Sequence, residues 1–172
     1  FLEECLQSIS CVEREFTEHI IIDPGSADGS RKLLLSFQNE HRNVKLIFES
    51  DLGPADGLNK GLTIAEGEII GILNADDFYL PNTCATIIGE IGKNPPHDIY
   101  YGNGIILKNG KSSVVYADPL ELISYKLNVL CMFQQSMFFR KDSLNHHATL
   151  HFATQPHKAQ LIYRHTKQIF HR

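Results

Sequence analysis

Residues 19–30, with the sequence HIIIDPGSADGS, carry the clearest local signal for the fold of this chain. Its three consecutive isoleucines form a short β-branched run, which is typical of a strand buried on both faces of a sheet. The residues after Asp23 are mostly Pro, Gly, Ser and Asp, so a loop must follow the strand. A helical pattern comes next and runs through about Asn39, and we expect Ser30 to cap that helix.

The same strand–loop–helix order returns twice along the chain. The expected elements are a helix over 2–12, a strand over 44–48, a loop over 51–57, a helix through Ile64 that Gly67 closes, a strand over 68–73, and a helix over 83–91. Asn109-Gly110 predicts a type I′ turn between strands over 99–107 and 113–116. Repeated units of this kind predict an α/β fold with a largely parallel sheet.

The bulk composition excludes several classes of protein. The chain has 172 residues and a net charge of −4, and no basic stripe with interleaved aromatic residues is present, so we expect no nucleic acid partner. The longest apolar runs are far shorter than the ~20 residues that cross a bilayer. The four cysteines show neither a CxxC pair nor a zinc spacing, which favours reduced thiols in a cytoplasmic protein.

The C-terminal residues differ from the rest of the chain. After Asp142 the sequence contains no Asp or Glu, and most of its histidines lie there. Their spacing matches no zinc site, so we expect no metal in this segment. We therefore predict one domain over 1–144 and a divergent, His-rich tail over 145–172, for which a frameshifted or replaced C-terminus is our hypothesis.

Acidic residues follow two of the three predicted strands. Asp23 follows the first strand, and Asp76 with Asp77 follows the third. Ligands of open α/β sheets bind at the carboxyl ends of the strands, and carboxylates beside phosphate groups need a hard divalent cation between them. Two alternatives remain open, namely an ordinary strand-end turn at Asp23 and a helix N-cap at Asp76-Asp77. The loop after Asp23 has neither the GxGxxG order of a dinucleotide site nor the order of a P-loop.

Five segments resemble motifs of the family 2 glycosyltransferases. Residues 19–30 resemble hIIIDGGSTDGT of that family. The other matches, in order over residues 1–144, are SDLGPADGLNKG (50–61) with sDkGiyDAmNKG, EGEIIGILNADD (66–77) with sGdiigfLNaDD, DIYYGN (98–103) with DivYGD, and QQSMFFRK (134–141) with HQstffrr. The chain departs from these motifs at Pro24, Asn74, Asn103 and Gln134.

The resemblance implies a GT-A fold, which is a Rossmann-related three-layer sandwich with a mostly parallel central sheet. Its first strand would precede Phe1 and is expected to be missing. The implied activity is metal-assisted transfer of a sugar, with inversion, from a nucleoside-diphosphate sugar to an acceptor hydroxyl. The family default is a UDP-sugar donor and a glycan or lipid-linked acceptor in polysaccharide synthesis, with the full-length protein in the cytoplasm or peripherally at the inner face of the membrane.

The resemblance also assigns site residues. Asp76 would ligate Mg²⁺ or Mn²⁺, as the last residue of a DxD-like motif that begins at Asn74. The residues expected to bind the nucleotide or the donor sugar are Asp23, Gly25, Ser26, Asp56, Asn59, Lys60, Asn74 and Asp77. No carboxylate base can be assigned, because the acidic segment that follows the HQ motif in the family has no counterpart here.

Two alternatives to an active transferase remain. One is a truncated, catalytically inactive fragment that retains at most nucleotide-sugar binding. The other is a sugar nucleotidyltransferase, which is disfavoured because no Gly-rich loop bearing Arg or Lys is present near the N-terminus.

Overall fold

The computed structural model describes residues 1–10, 17–92, 97–117 and 134–143. These residues form two compact units. The first unit contains 1–10, 17–67 and 75–84, and the second contains 68–74, 85–92, 97–117 and 134–143. The tail predicted over 145–172 lies outside the described residues.

The first unit is built around a pair of parallel strands. Its elements are α1 (Leu2–Ser10), β1 (His19–Ile22), α2 (Ser30–Glu40), β2 (Val44–Ile47) and α3 (Pro54–Ile64). The register aligns Ile22 with Ile47. One more ladder bond, from the backbone N–H of Asp23 to the carbonyl oxygen of Ile47 at 2.9 Å, extends the pairing past β1. Asp23 and Phe48 therefore leave the two strands side by side at their carboxyl ends.

Two glycines of α3 allow this helix to lie close to β1. Gly57 and Gly61 are one helical turn apart and so share a face of the helix. A Cβ atom added at Gly61 would lie 3.2 Å from Cδ1 of Ile22, and one added at Gly57 would lie 3.1 Å from Oδ2 of Asp51. Because Gly57 and Gly61 have no side chain, the β2–α3 loop and the end of β1 can both lie close to α3.

At the opposite, amino-terminal end of β1, hydrogen bonds of Glu18 connect the strand to its neighbours. Its carboxylate accepts hydrogen bonds from the backbone N–H groups of Glu66 and Gly67 and from Nζ of Lys45 on β2, the last at 2.9 Å. Burial alone would raise the pKa of Glu18, but these hydrogen bonds hold it below its ordinary value. The carboxylate therefore ties β1, β2 and the segment after α3 to one another.

The second unit has an antiparallel sheet with β7 at its centre. Its strands are β3 (Ile69–Gly71), β4 (Ile99–Tyr101), β5 (Gly104–Lys108), β6 (Lys111–Val115) and β7 (Met137–Arg140), with a short 3₁₀ helix at Gln134–Ser136. The helix α4 (Thr83–Ile91) belongs to this unit from Ala85 onward. The first sheet has the order β3-β7-β4, and β5 pairs with β6 in a hairpin. Met137 and Phe139 are 4% and 3% exposed, so β7 carries much of the core of this unit.

Most of the predicted elements are present, with altered ends. The predicted hairpin turn is confirmed, because Asn109 and Gly110 both have positive φ angles, of 52° and 73°. The expectation that Ser30 caps α2 is wrong: Gly29 is the N-cap at φ 99°, and the carboxylate of Asp28 accepts the N–H of Ser30 at 3.0 Å. The helix α3 ends at Ile64 as predicted, but Ala65 rather than Gly67 is its C-cap, and the helix begins earlier than expected, at Pro54.

The strand pairing is less parallel than expected among the described residues. The β1–β2 pair is parallel, whereas β3 pairs antiparallel with β7, which lies far along the sequence. A pairing over such a sequence distance cannot be read from the local pattern of β3. None of the helices in the described ranges has the length and apolar character needed to cross a membrane.

A valine substitution tests the close approach of α3 to β1. We expect Gly61→Val to destabilise the chain by about 1–3 kcal/mol, because the added carbons would collide with Ile22. Gly89→Val in α4 is the matched control, since it makes the same change in helix propensity where a Cβ would meet no atom within 4 Å. Urea unfolding of the two variants measures the difference, and equal losses would contradict the account.

Candidate functional site

The site is best defined around Asp23, the one buried charged residue among those described, at 5% exposure. Its Oδ1 accepts the backbone N–H groups of Ser26 at 2.9 Å and of Gly25 at 3.3 Å. Its Oδ2 accepts Nε–H of Arg31, in the first turn of α2, at 2.6 Å. The β1–α2 loop therefore folds around the carboxylate of Asp23, the residue directly after β1.

The carboxylate of Asp23 is kept ionised by its partners. Burial alone would raise its pKa. Hydrogen bonds from the hydroxyl of Ser26, from Arg31 and from the backbone N–H groups of Ser26 and Gly25 outweigh burial, and they hold the pKa of Asp23 far below its usual range. At any physiological pH, Asp23 consequently acts only as a hydrogen-bond acceptor.

A second group of polar residues lies in the β2–α3 loop and the first turns of α3. The carboxylate of Asp56 accepts the N–H of Leu52 at 3.1 Å, and Nζ of Lys60 lies 3.5 Å from Asp56 Oδ2. Lys60 also donates to the carbonyl oxygen of Ser50 at 2.6 Å. Asn59 is exposed, and its carbonyl oxygen accepts the hydroxyl of Thr63. Asp56 and Lys60 therefore both make hydrogen bonds to the backbone of the β2–α3 loop.

The acidic run at Asp76-Asp77 belongs to a turn rather than to a helix. The next helix in the chain, α4, begins only at Thr83, so the alternative that these residues cap a helix is wrong. Asp76 is exposed and Asp77 is half-buried, while Asn74 belongs to the second unit.

The segment after the acidic run is attached to α1. The N–H of Tyr79 donates to Oγ of Ser8 at 3.1 Å, and that hydroxyl donates to the carbonyl oxygen of Cys5. Burial raises the pKa of Cys5 to about 11, and the negative charges of Asp77 and Asp76 add to the shift. The acidic run therefore lies near the Cys5 thiol of α1, a neighbour that no motif predicted.

Asp76, the candidate metal ligand, does not belong to a preformed metal site among the described residues. Among the described residues, no group of three or more His, Cys, Asp or Glu side chains is arranged to hold a metal ion. Mg²⁺ is commonly bound by one or two carboxylates together with substrate phosphates. The exposed carboxylate of Asp76 has the donor chemistry for a site of that kind, in which phosphate oxygens and water supply the remaining ligands.

The sequence patterns did not predict two residues of the site, Arg31 and Phe48. Arg31 binds Asp23, and its guanidinium carbon lies 4.9 Å from the centre of the Phe48 ring. A cation in the first turn of a helix opposes the helix dipole, and that anomaly is the signal that could have drawn attention to Arg31. Phe48 is the residue directly after β2, so the parallel register of β1 and β2 brings it beside Asp23.

An ionised carboxylate at the carboxyl end of a parallel strand is the arrangement of a ligand-binding α/β domain. The model of the family Glycosyl transferase family 2 matches residues 1–155, so the chain belongs to this family. A PGL/p-HBAD biosynthesis glycosyltransferase from Mycobacterium bovis is 28% identical over 142 residues, which cover 81% of this chain and 54% of that protein. The chain thus spans about half the length of the curated relatives that it matches.

Solved structures confirm the predicted GT-A fold. S. aureus TarS 1–349 in complex with UDP-GlcNAc has a TM-score of 0.64 at 19% identity, covering 85% of this chain and 43% of that one. The mannosyltransferase PcManGT from Pyrobaculum calidifontis, in complex with GDP-Man and Mn²⁺, has a TM-score of 0.61 at 19% identity, covering 84% and 42%. At these identities the likeness establishes the fold.

Replacing Asp23 tests how far its ion pair stabilises the first unit. We expect Asp23→Asn to lower the free energy of unfolding by about 1–2 kcal/mol at neutral pH, because the loop N–H groups and Arg31 lose their anionic acceptor. The loss is limited because the Arg31 side chain is half-exposed, so solvent already screens the ion pair. Thermal or urea unfolding at neutral pH measures this cost. An unchanged free energy of unfolding would contradict the assigned contacts.

The same variant has a predicted pH dependence. The pKa of Asp23 is depressed in the folded chain, so below about pH 4 the unfolded chain binds more protons than the folded chain. The contribution of Asp23 is therefore present above its unfolded pKa and is lost as the pH falls toward the folded pKa. Between about pH 5 and pH 2, wild type should lose more stability than Asp23→Asn. Parallel acid unfolding curves for the two proteins would refute this.

Proposed function

We propose that this chain binds the donor of a glycosyltransferase reaction, in which a sugar passes from a nucleoside-diphosphate sugar to an acceptor hydroxyl with inversion. One observation carries the proposal: the buried, ionised carboxylate of Asp23 lies at the carboxyl end of β1 beside a loop that presents polar groups. Such an acceptor suits the N–H groups of a nucleobase or the hydroxyls of a ribose. The family assignment supports the same conclusion.

The donor class rests on the fold relatives together with the loops of the first unit. The two solved neighbours contain UDP-GlcNAc and GDP-Man, so a nucleotide sugar is the ligand class to test. Asp23, Gly25 and Ser26 would hold the nucleoside. Asp56, Asn59 and Lys60 would approach the ribose or the donor sugar, and Lys60 already fixes the loop that carries Asp56. Asn74 and Asp77 are assigned to the donor from the resemblance alone.

Metal assistance is a further part of the proposal. A bound Mg²⁺ or Mn²⁺ would neutralise the charge that develops on the leaving diphosphate. Asp76 is the residue that would hold the cation, because its exposed carboxylate follows β3 within the DxD-like run. The solved neighbour PcManGT contains Mn²⁺. The catalytic base has no assigned residue in this chain.

The acceptor and location follow from the resemblance. We infer a glycan or lipid-linked acceptor in polysaccharide synthesis, and a cytoplasmic protein associated peripherally with the inner face of the membrane. The competing hypothesis, an inactive fragment that keeps only nucleotide-sugar binding, is distinguished by activity rather than by affinity.

Thermal unfolding with ligands tests the proposed function. We expect UDP or GDP to stabilise the 172-residue chain, by about 2.7 kcal/mol at a concentration about 100-fold above the dissociation constant. Mn²⁺ should increase that stabilisation in wild type but not in Asp76→Asn. Glu40→Gln, which removes an exposed carboxylate at the end of α2, is the matched control and should behave as wild type.

The outcomes separate the hypotheses. Stabilisation accompanied by hydrolysis or transfer from a nucleotide sugar would identify an active transferase. Stabilisation without turnover would identify an inactive binding domain. No stabilisation by any nucleoside diphosphate would overturn the proposed function, and an equal response to Mn²⁺ in Asp76→Asn would remove Asp76 from the metal site.

A further inference from the structure

Arg31 links the buried carboxylate to an exposed aromatic ring. Its Nε lies 2.6 Å from Oδ2 of Asp23, whose side chain is 6% exposed, while 43% of the Arg31 side chain remains exposed. The guanidinium lies over the ring of Phe48, with its carbon 4.9 Å from the ring centre. Phe48 itself is 37% exposed. The two residues therefore form a stacked pair at the rim of the carboxylate.

The position of Arg31 is unfavourable for the helix that carries it. A cation in the first turn of a helix meets the positive end of the helix dipole, at a typical cost of about 0.3–1 kcal/mol. No acidic residue lies in the first turn of α2 to offset that cost. The contacts with Asp23 and Phe48 must compensate, so this arginine is held in place by the site rather than by its helix.

The hydrogen bonds of Asp23 leave one exchangeable position. A carboxylate offers about four acceptor sites. Two are taken by the backbone N–H groups of Gly25 and Ser26, and one by Arg31, all of which are fixed by the loop and by α2. These three hydrogen bonds place two donors on Oδ1 and one on Oδ2, so one acceptor site of Oδ2 remains for a further donor. A ligand N–H or O–H group can take that site without unfolding the loop.

We propose that Arg31, stacked on Phe48, is a positioning residue for nucleoside recognition, which fixes Asp23 so that it presents a single acceptor site to one donor group of the nucleotide. This inference rests on the proposed function and deepens it. The ligand class is a nucleoside diphosphate whose base or ribose offers an N–H or O–H donor. Arg31 acts through Asp23, and the planar guanidinium matters because it can bind a carboxylate and stack on a ring at once.

The charges around Asp23 give the proposal a pH signature. Charged groups near this carboxylate include Arg31 on α2 and Asp28 in the β1–α2 loop. The Asp51 carboxylate of the β2–α3 loop lies beside Gly57, which also faces Ile22. Removing the guanidinium leaves Asp23 buried beside the negative charge of Asp28, so its pKa must rise. Protonation would then remove an acceptor, and nucleotide affinity would fall on mild acidification. Because the terminal phosphate of a nucleoside diphosphate itself titrates at about pH 6, the signature is the additional loss of affinity in the variant relative to wild type over the same range.

The test measures dissociation constants for UDP and GDP with Mg²⁺ by calorimetry at about pH 8 and about pH 5. We expect Arg31→Gln to weaken binding roughly tenfold relative to wild type at the higher pH, because Asp23 loses the contact that fixes it, and by a larger factor at the lower pH. Arg31→Lys should recover part of the loss, and Phe48→Leu should show a smaller loss. Arg42→Gln, in the exposed turn before β2, is the matched control and should bind as wild type at both pH values.

Each result decides a separate point. If Arg31→Gln binds as tightly as wild type at both pH values and only its melting temperature falls, Arg31 is structural and the inference is overturned. If wild type binds neither nucleotide, the proposed function fails first. Should Arg31→Gln not fold, as judged by circular dichroism, then Arg31→Lys and Phe48→Leu carry the comparison, and unchanged affinity in both would overturn the inference.

Discussion

The carboxylate of Asp23 is the constraint on which the first unit depends. It is buried at the end of β1, where an ion is tolerated only if nearly all of its acceptor sites are used. Backbone N–H groups of the loop satisfy one oxygen, and Arg31 satisfies the other. The loop, the start of α2 and the end of β1 therefore adopt their arrangement together. Loss of any one partner leaves the buried carboxylate of Asp23 with an unsatisfied oxygen.

Features away from the carboxylate keep the strand end in place. Gly57 and Gly61 let α3 approach β1, which brings the β2–α3 loop and Lys60 to the same end of the strands. At the amino-terminal end, Glu18 joins β1 to β2 and to the segment after α3. Contacts thus hold the strand pair at both ends, and the carboxyl end presents the loop that carries Asp23, Gly25 and Ser26.

Local sequence patterns were sufficient to predict the elements and the position of Asp23. The β-branched run at 19–22, the turn formers after it and the Asn109-Gly110 turn each act over a few residues, and each element was confirmed. The expectation that β1 is buried on both faces was wrong, because all four of its residues are half-buried. The helix ends were predicted less well. At α2, glycine with a positive φ angle and the Asp28 carboxylate together replaced the expected cap at Ser30.

The other unpredicted features depend on contacts between distant residues. The pairing of β3 with β7, the contact of Arg31 with Phe48 and the hydrogen bond from Tyr79 to Ser8 join segments that no short-range pattern relates. The roles of the acidic run, by contrast, came from family resemblance. The structure adds that Asp76 is exposed in a turn, which suits a carboxylate that shares its cation with a phosphate.

The most direct measurement of the central claim is an NMR titration of the ¹⁵N-labelled chain with UDP and GDP in Mg²⁺. If Asp23 is the nucleoside acceptor, the backbone signals of Gly25 and Ser26 and the side-chain Nε–H signal of Arg31 should shift together and saturate with one affinity. A nucleotide that binds while these three signals stay unmoved would contradict the account.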